Sequence, residues 1–140
     1  MKPRLIAICA LAALLVVAGC TAAASGNAAV TISCDEFQKE AHLSREVGVP
    51  VGSTLTVDLC SNPSTGYAWE EPKVANEAVM QQTGHEVKPA QGGAIGAPGS
   101  EQWTFKAGEK GTSTVSFAYS RPWEGGEKGT WTLELTVIAQ

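Results

Sequence analysis

The chain is short of the side chains that enzymes and nucleic-acid binders depend on. It has two histidines, His42 and His85, and no H-x-x-x-H or C-x-x-C spacing that would make a metal site of them. No serine or cysteine lies in a recognisable nucleophile motif, and no glycine-rich run has the pattern of a phosphate-binding loop. Basic residues are also scarce, with 10 lysines and arginines against 14 acids and a formal net charge of −4. A nucleic-acid partner would demand the opposite sign. A sustained 3.6-residue period and internal repeats are missing too, so helical architectures find no support. The inventory excludes an enzyme: no catalytic residue, metal or cofactor is expected, and neither is nucleic acid.

The long apolar run is short for its kind. Leu5 to Ala18 follows Lys2 and Arg4 and, at about 14 residues, suits a signal-peptide core better than a bilayer span. It ends in Val17-Ala18-Gly19-Cys20, which resembles the cleavage box of bacterial lipoproteins. The resemblance implies that residues 1–19 are removed and that Cys20 becomes the lipidated N-terminus. The protein is then expected as a membrane-anchored lipoprotein on the extracytoplasmic side of a bacterial envelope. Residues 20–28 are small and polar after the cysteine and read as a tether, which leaves 29–140 as one folded domain. Losing Lys2 and Arg4 makes that domain more acidic still, so lipid rather than charge would hold it to the membrane.

Cysteine usage fits an exported domain. With Cys9 in the signal and Cys20 acylated, Cys34 and Cys60 remain, and two thiols in an oxidising compartment are expected to pair. Such a bridge stabilises a fold by about 3–4 kcal/mol on the chain-entropy account. The competing readings, a metal site with His42 and His85 or a Cys–His nucleophile, have no spacing behind them.

Alternation with a period of two dominates the rest, the mark of half-buried strands. Val30-Thr31-Ile32 opens a strand, and Asp35 to Ala41 suggests one or two helical turns capped by Ser33 or Asp35. Leu43, Arg45, Val47 and Val49 share one face of an extended run; Leu55, Val57 and Leu59 share the next, with Cys60 on the opposite parity. Tyr67-Ala68-Trp69 makes a short strand, and another is expected around Val79 to Val87. Residues 88–100 collect Gly92, Gly93, Gly96, Gly99, Pro89 and Pro98 and read as a long, mobile loop. Beyond it, Trp103 and Phe105, then Val115, Phe117 and Tyr119, then Trp131, Leu133, Leu135 and Val137 each fall on a common face. The pattern predicts an all-β fold, an immunoglobulin-like antiparallel β-sandwich of about seven strands.

Two loops stand out. In Asn62-Pro63-Ser64-Thr65-Gly66-Tyr67 the asparagine can bond the backbone two residues on, proline fixes φ and glycine admits a conformation other residues avoid. The result is a stiff loop with Ser64 and Thr65 near its tip, readable either as a well-made turn or as a preorganised binding element. Arg121-Pro122-Trp123 places tryptophan and arginine in a glycine-flanked loop, and these residue types recur as binding hot spots. Trp123 is read as an anchor, with a lid over the core as the alternative, whereas Trp69, Trp103 and Trp131 lie inside alternating runs and read as core or sheet-face residues.

The two loops together resemble the signature loops of chagasin-like inhibitors of papain-type cysteine peptidases. That family carries an Asn-Pro-Thr-Thr-Gly-Tyr loop, a glycine-rich second loop and an Arg-Pro-Trp third loop. Here Ser64 replaces the first threonine and keeps its hydroxyl. The second loop corresponds to part of Gly92 to Gly99, best aligned at Gly96-Ala97-Pro98-Gly99, and it is longer and less regular than the family pattern. The match covers roughly Val47 to Ile138, and Cys34 to Leu43 has no counterpart. The resemblance implies a reversible, competitive inhibitor, expected as a monomer, whose three loops enter the cleft of a papain-like cysteine peptidase. Asn62, Pro63, Ser64, Thr65, Gly66, Tyr67, Gly96, Pro98, Gly99, Arg121, Pro122 and Trp123 would make the contact. The alternative uses the same loops: a surface-displayed binding lipoprotein whose partner is not a peptidase.

Overall fold

A computed structural model describes residues 26–92 and 94–140; the segment read as signal peptide, Cys20 and most of the tether lies outside them. The alternating runs become strands β1 (Ala28–Ile32), β2 (His42–Val49), β3 (Thr54–Ser61), β4 (Ala68–Trp69), β5 (Lys73–Val74), β6 (Met80–Lys88), β7 (Gly99–Ala107), β8 (Gly111–Ser120) and β9 (Trp131–Ala139). One sheet runs β1-β3-β7-β6 and the other β2-β9-β8-β4, with β5 also on β8. Seven of these strands span five to ten residues; β4 and β5 are two-residue pieces separated by Glu70-Glu71-Pro72, where proline cannot continue a ladder.

Period-two parity decides the core. Leu55, Val57 and Leu59 of β3 and Trp103 and Phe105 of β7 are buried together with Val115, Phe117 and Tyr119 of β8 and Leu133, Leu135 and Val137 of β9. Each such side chain contributes roughly 1.5–3 kcal/mol by leaving water. Trp103 sits at the centre, edge-on to Trp69 at 6.3 Å and to Phe117 at 5.3 Å. Trp131 is half-buried and packs against this core from the sheet face.

The pairing is not wholly antiparallel. β1 runs parallel to β3 and β2 parallel to β9, each at a sheet edge. The chain leaves the first sheet at Ile32 and enters the second at His42, and the intervening helix α1 (Cys34–Lys39) makes the crossing. A parallel pair cannot be made by a tight hairpin and needs a crossover of this kind. Ser33 caps α1 in a capping box, its hydroxyl accepting from the Glu36 amide while the Glu36 carboxylate accepts from the Ser33 amide. That backbone bond holds the Glu36 carboxyl below its ordinary pKa of 4.5. Phe37, 1% exposed, drives the helix onto the sandwich end, stacking on Trp131 at 5.0 Å and tilting against Trp69 at 5.3 Å.

Cys34 and Cys60 form a disulfide, with Cα atoms 5.1 Å apart across 26 residues. Cys60 is buried despite having opposite parity to Leu55, Val57 and Leu59, because its bond to α1 covers it. The thiols are therefore spent, while His42 bonds Thr132 and His85 bonds Glu101 on different strands. Three boundaries differ from expectation. β1 begins at Ala28, inside the stretch read as tether; α1 starts at Cys34 and stops at Lys39; and β6 and β7 extend to Lys88 and from Gly99, leaving a shorter connection than 88–100. Ladder bonds between Lys88 and Ser100 draw that loop closed at its neck.

Candidate functional site

Strand register brings the three loops to one end of the sandwich. Ser61, before the Asn62 loop, pairs with Gly99, and Lys88 pairs with Ser100 beside it. In the other sheet Ala68 pairs with Ser120, and Tyr119 with Trp131. The first loop (62–67), second loop (89–98) and third loop (121–130) therefore leave neighbouring strand ends. α1 crosses the same end, beside them.

The first loop is stiff because nearly every polar group of Asn62 is used. Its side-chain oxygen accepts from the Ser64 amide at 3.2 Å and the Ser64 hydroxyl at 2.6 Å; its carbonyl accepts from the Thr65 hydroxyl at 2.7 Å. Its own amide donates to the Tyr119 hydroxyl at 2.8 Å. Pro63 begins a single 3-10 turn and Gly66 ends it at φ +80°. Pro63, Ser64 and Thr65 are exposed. Both hydroxyl hydrogens are spent inside the loop, so these side chains face a partner as acceptors.

Direct contacts tie the other loops to the first. The Asn62 side-chain NH2 donates to the Gly96 carbonyl at 3.0 Å. Pro98 is exposed, whereas Gly99 is half-buried at the neck, where an added Cβ would meet the Lys88 carbonyl at 2.2 Å. Only glycine fits there, so Gly99 shapes the neck of the loop and also lines the groove beside the first loop. Ile95 projects fully into solvent.

In the third loop the Arg121 guanidinium lies over the Tyr67 ring, 4.6 Å from its centroid, and 5.8 Å from the Trp123 ring. Lys128 donates to the Arg121 carbonyl at 2.6 Å, and the Tyr67 hydroxyl bonds Glu127. Arg121 is thus half-buried as a support, while Pro122 and Trp123 are exposed. Trp123 keeps 51% of its surface in water and rests its ring edge on Gly66. It does not fold over the core.

Grooves flank the first loop. One of about 350 Å³, lined by Asn62, Ser64, Val87, Lys88, Gly96 and Ala97, separates it from the second loop. Another of about 380 Å³, lined by Gln38, Thr65, Tyr67, Pro98, Thr130 and Trp131, separates it from α1. No local sequence signal marks Ser61, Glu127 or Lys128 as supports, and Tyr119 is legible only as a residue on the core-facing side of its strand. Glu101 had a signal: it shares the parity of Trp103 and Phe105, an acid on a core-facing register.

An immunoglobulin-like sandwich that holds three cross-braced loops at one end, with an exposed tryptophan among them, has the features of a binding surface. Comparison with known proteins makes the class specific. The sequence profile described as Chagasin family peptidase inhibitor matches residues 48–137, and the chain belongs to that family. It is 30% identical over 101 residues to Amoebiasin-2 of Entamoeba histolytica, covering 72% of this chain and 80% of that protein. The crystal structure of the cysteine protease inhibitor EhICP2 from Entamoeba histolytica superposes with a TM-score of 0.61 at 27% identity, covering 81% of this chain and 97% of that one. PbICP-C, solved in complex with falcipain-2, shares the fold with a TM-score of 0.60 at 17% identity, over 79% of this chain and 98% of that one.

Proposed function

We propose that the chain is a reversible, competitive inhibitor of papain-type cysteine peptidases that blocks the active-site cleft with its three loops. The observation that carries this reading is the bracing of those loops into one surface. The first loop is bonded to the second through Asn62 and Gly96 and packed against the third through Gly66 and Trp123. A surface that is already ordered loses little entropy on docking, which favours tight binding without covalent chemistry. The first loop, central and narrow, enters deepest, with Ser64 and Thr65 nearest the catalytic cysteine and no scissile bond in a productive pose. Trp123 packs on one side of the cleft, with Arg121 and Tyr67 behind it, and the Gly96–Pro98 segment contacts the other.

The cellular setting belongs to the same proposal. Cys20 carries the lipid, residues 20–28 are the tether, and the domain works as a monomer outside the cytoplasm. The Cys34–Cys60 bond supports an oxidising compartment. A Cys20→Ser change is expected to move the protein from the membrane to the soluble fraction.

The test of inhibition is a titration of the domain beginning after Cys20 into papain with a fluorogenic peptide, beside Trp123→Ala. The wild-type domain is expected to raise the apparent KM without changing kcat. Loss of about 2 kcal/mol or more on truncating Trp123 is the expectation for a central aromatic contact. No inhibition of papain or of a cathepsin-like enzyme at micromolar protein would sink the reading.

A further inference from the structure

We propose that Glu101 is a positioning residue: one buried carboxylate that sets the first and second loops in register with each other. Glu101 lies on β7, two residues after the second loop closes at Gly99, and is 5% exposed. One carboxylate oxygen accepts from the Ser61 hydroxyl at 2.9 Å, and the other meets His85 Nε2 at 3.0 Å. Ser61 is itself 1% exposed and is the last residue of β3, directly before Asn62. His85 lies on β6, three residues before that strand ends at Lys88, and stacks flat on Trp103 at 4.7 Å and 7°. A single side chain therefore touches the strand that leads into the first loop and both strands that flank the second.

The chemistry of the position supports a geometric role over a merely stabilising one. A carboxylate removed from water is seldom a net gain for a fold, and an apolar residue of similar volume often serves stability as well or better. The neighbours on this face of β3 and β7 are Leu59 and Trp103, so an apolar side chain would have company. What an apolar residue cannot do is hold Ser61 and His85 at fixed distances. The Asn62–Gly96 bond between the loops, at 3.0 Å, depends on that spacing at their roots.

The proposal rests on the inhibitor reading for its functional meaning, but its structural core is testable without a peptidase. Amide hydrogen exchange would be measured on the free domain for wild type, Glu101→Leu, Ser61→Ala and Glu101→Gln. The reporters are the Ser64, Thr65, Gly66 and Ala97 amides, whose acceptors all lie within the two loops. Ser61→Ala and Glu101→Leu are expected to speed exchange at these amides by about tenfold or more while β8 and β9 stay protected. Glu101→Gln, which keeps an acceptor for Ser61, should restore protection. The same two disruptive variants should weaken papain inhibition, and Glu101→Gln should not. Unchanged loop exchange in Ser61→Ala, or exchange that rises evenly through the whole sandwich, would overturn the proposal. If Glu101→Leu does not fold, Ser61→Ala decides alone. A wild-type domain that fails to inhibit papain would remove the inhibitor reading and leave the exchange result to judge Glu101.

Discussion

A Cβ atom placed on Gly66 would lie 2.8 Å from Cη2 of Trp123, and the Gly66 backbone sits at φ +80°. The indole of the third loop thus rests on the one position of the first loop that has no side chain. Two requirements, a left-handed backbone and close approach of a ring, meet at the same glycine.

Gly66→Ala is therefore expected to do more harm to binding than to folding. The left-handed conformation costs a residue with a Cβ roughly 1–2 kcal/mol, and the added methyl displaces the ring that papain would contact. Thermal melting should show a modest loss, and inhibition should weaken by a larger factor than Tm alone would suggest. An alanine variant with unchanged inhibition would show that Trp123 and the first loop act separately.

Breaking the Cys34–Cys60 bond releases both α1 and the root of the first loop, since Cys60 precedes Asn62 by two residues. Closing a loop of this length is worth about 3–4 kcal/mol, which corresponds to a fall in Tm of roughly 10–20 °C for a domain of this size. Scanning calorimetry with and without reductant, alongside the Cys34→Ser, Cys60→Ser pair, measures it. Equal melting of oxidised and reduced protein would contradict the assignment.

Phe37→Ala empties a site enclosed by Trp69 and Trp131. A buried phenylalanine truncated to alanine costs about 3–5 kcal/mol when the cavity does not collapse. Urea unfolding should report a midpoint shift of that order with little change in slope. A loss under 1 kcal/mol would mean that the helix contributes little to the fold.

Glu36 supplies a pH-dependent contribution at the start of α1. Its carboxyl is held below the ordinary value of 4.5, first by the Ser33 backbone bond and then by the Ser33 side chain. A depressed carboxyl stabilises the fold above its unfolded pKa and loses that effect as pH falls through the folded value. The stability difference between wild type and Glu36→Gln should therefore be present at neutral pH and shrink once the medium is more acidic than the ordinary carboxylate range. Urea midpoints across that range check it; a difference that grows on acidification would refute the sign.

Much of this arrangement was legible in the chain, and what was not has a common physical cause. Alternation put Val115, Phe117 and Tyr119 on the core face, and Asn62, Pro63 and Gly66 announced a rigid turn, because both are local consequences of backbone geometry. The parallel edges were not legible, since a period of two says which face is buried but not which strand lies alongside or in which direction. Loop bracing was equally hidden. Arg121 finds Tyr67 54 positions earlier in the chain, and Ser61 finds Glu101 40 positions later; contacts of that separation leave no mark on either local segment. The second loop looked longer than it is because glycine and proline signal the turn but not the ladder that closes it.

The parallel register of β1 on β3 also gives the domain a direction. Ala28 lies beside Leu55, and Ile32 beside Leu59, so the chain enters at the end of β3 remote from Ser61. Ser61 lies six positions along the extended strand from Leu55, about 20 Å at the usual rise. β9 likewise runs from Trp131 at the loop end to Ala139, which pairs with Gly111 at the far end. If the proposed lipid on Cys20 holds the domain, the pull would be applied at the base and the loops would form the leading tip. A domain held so would approach its partner head-on, with its own bulk between the contact and the point of attachment.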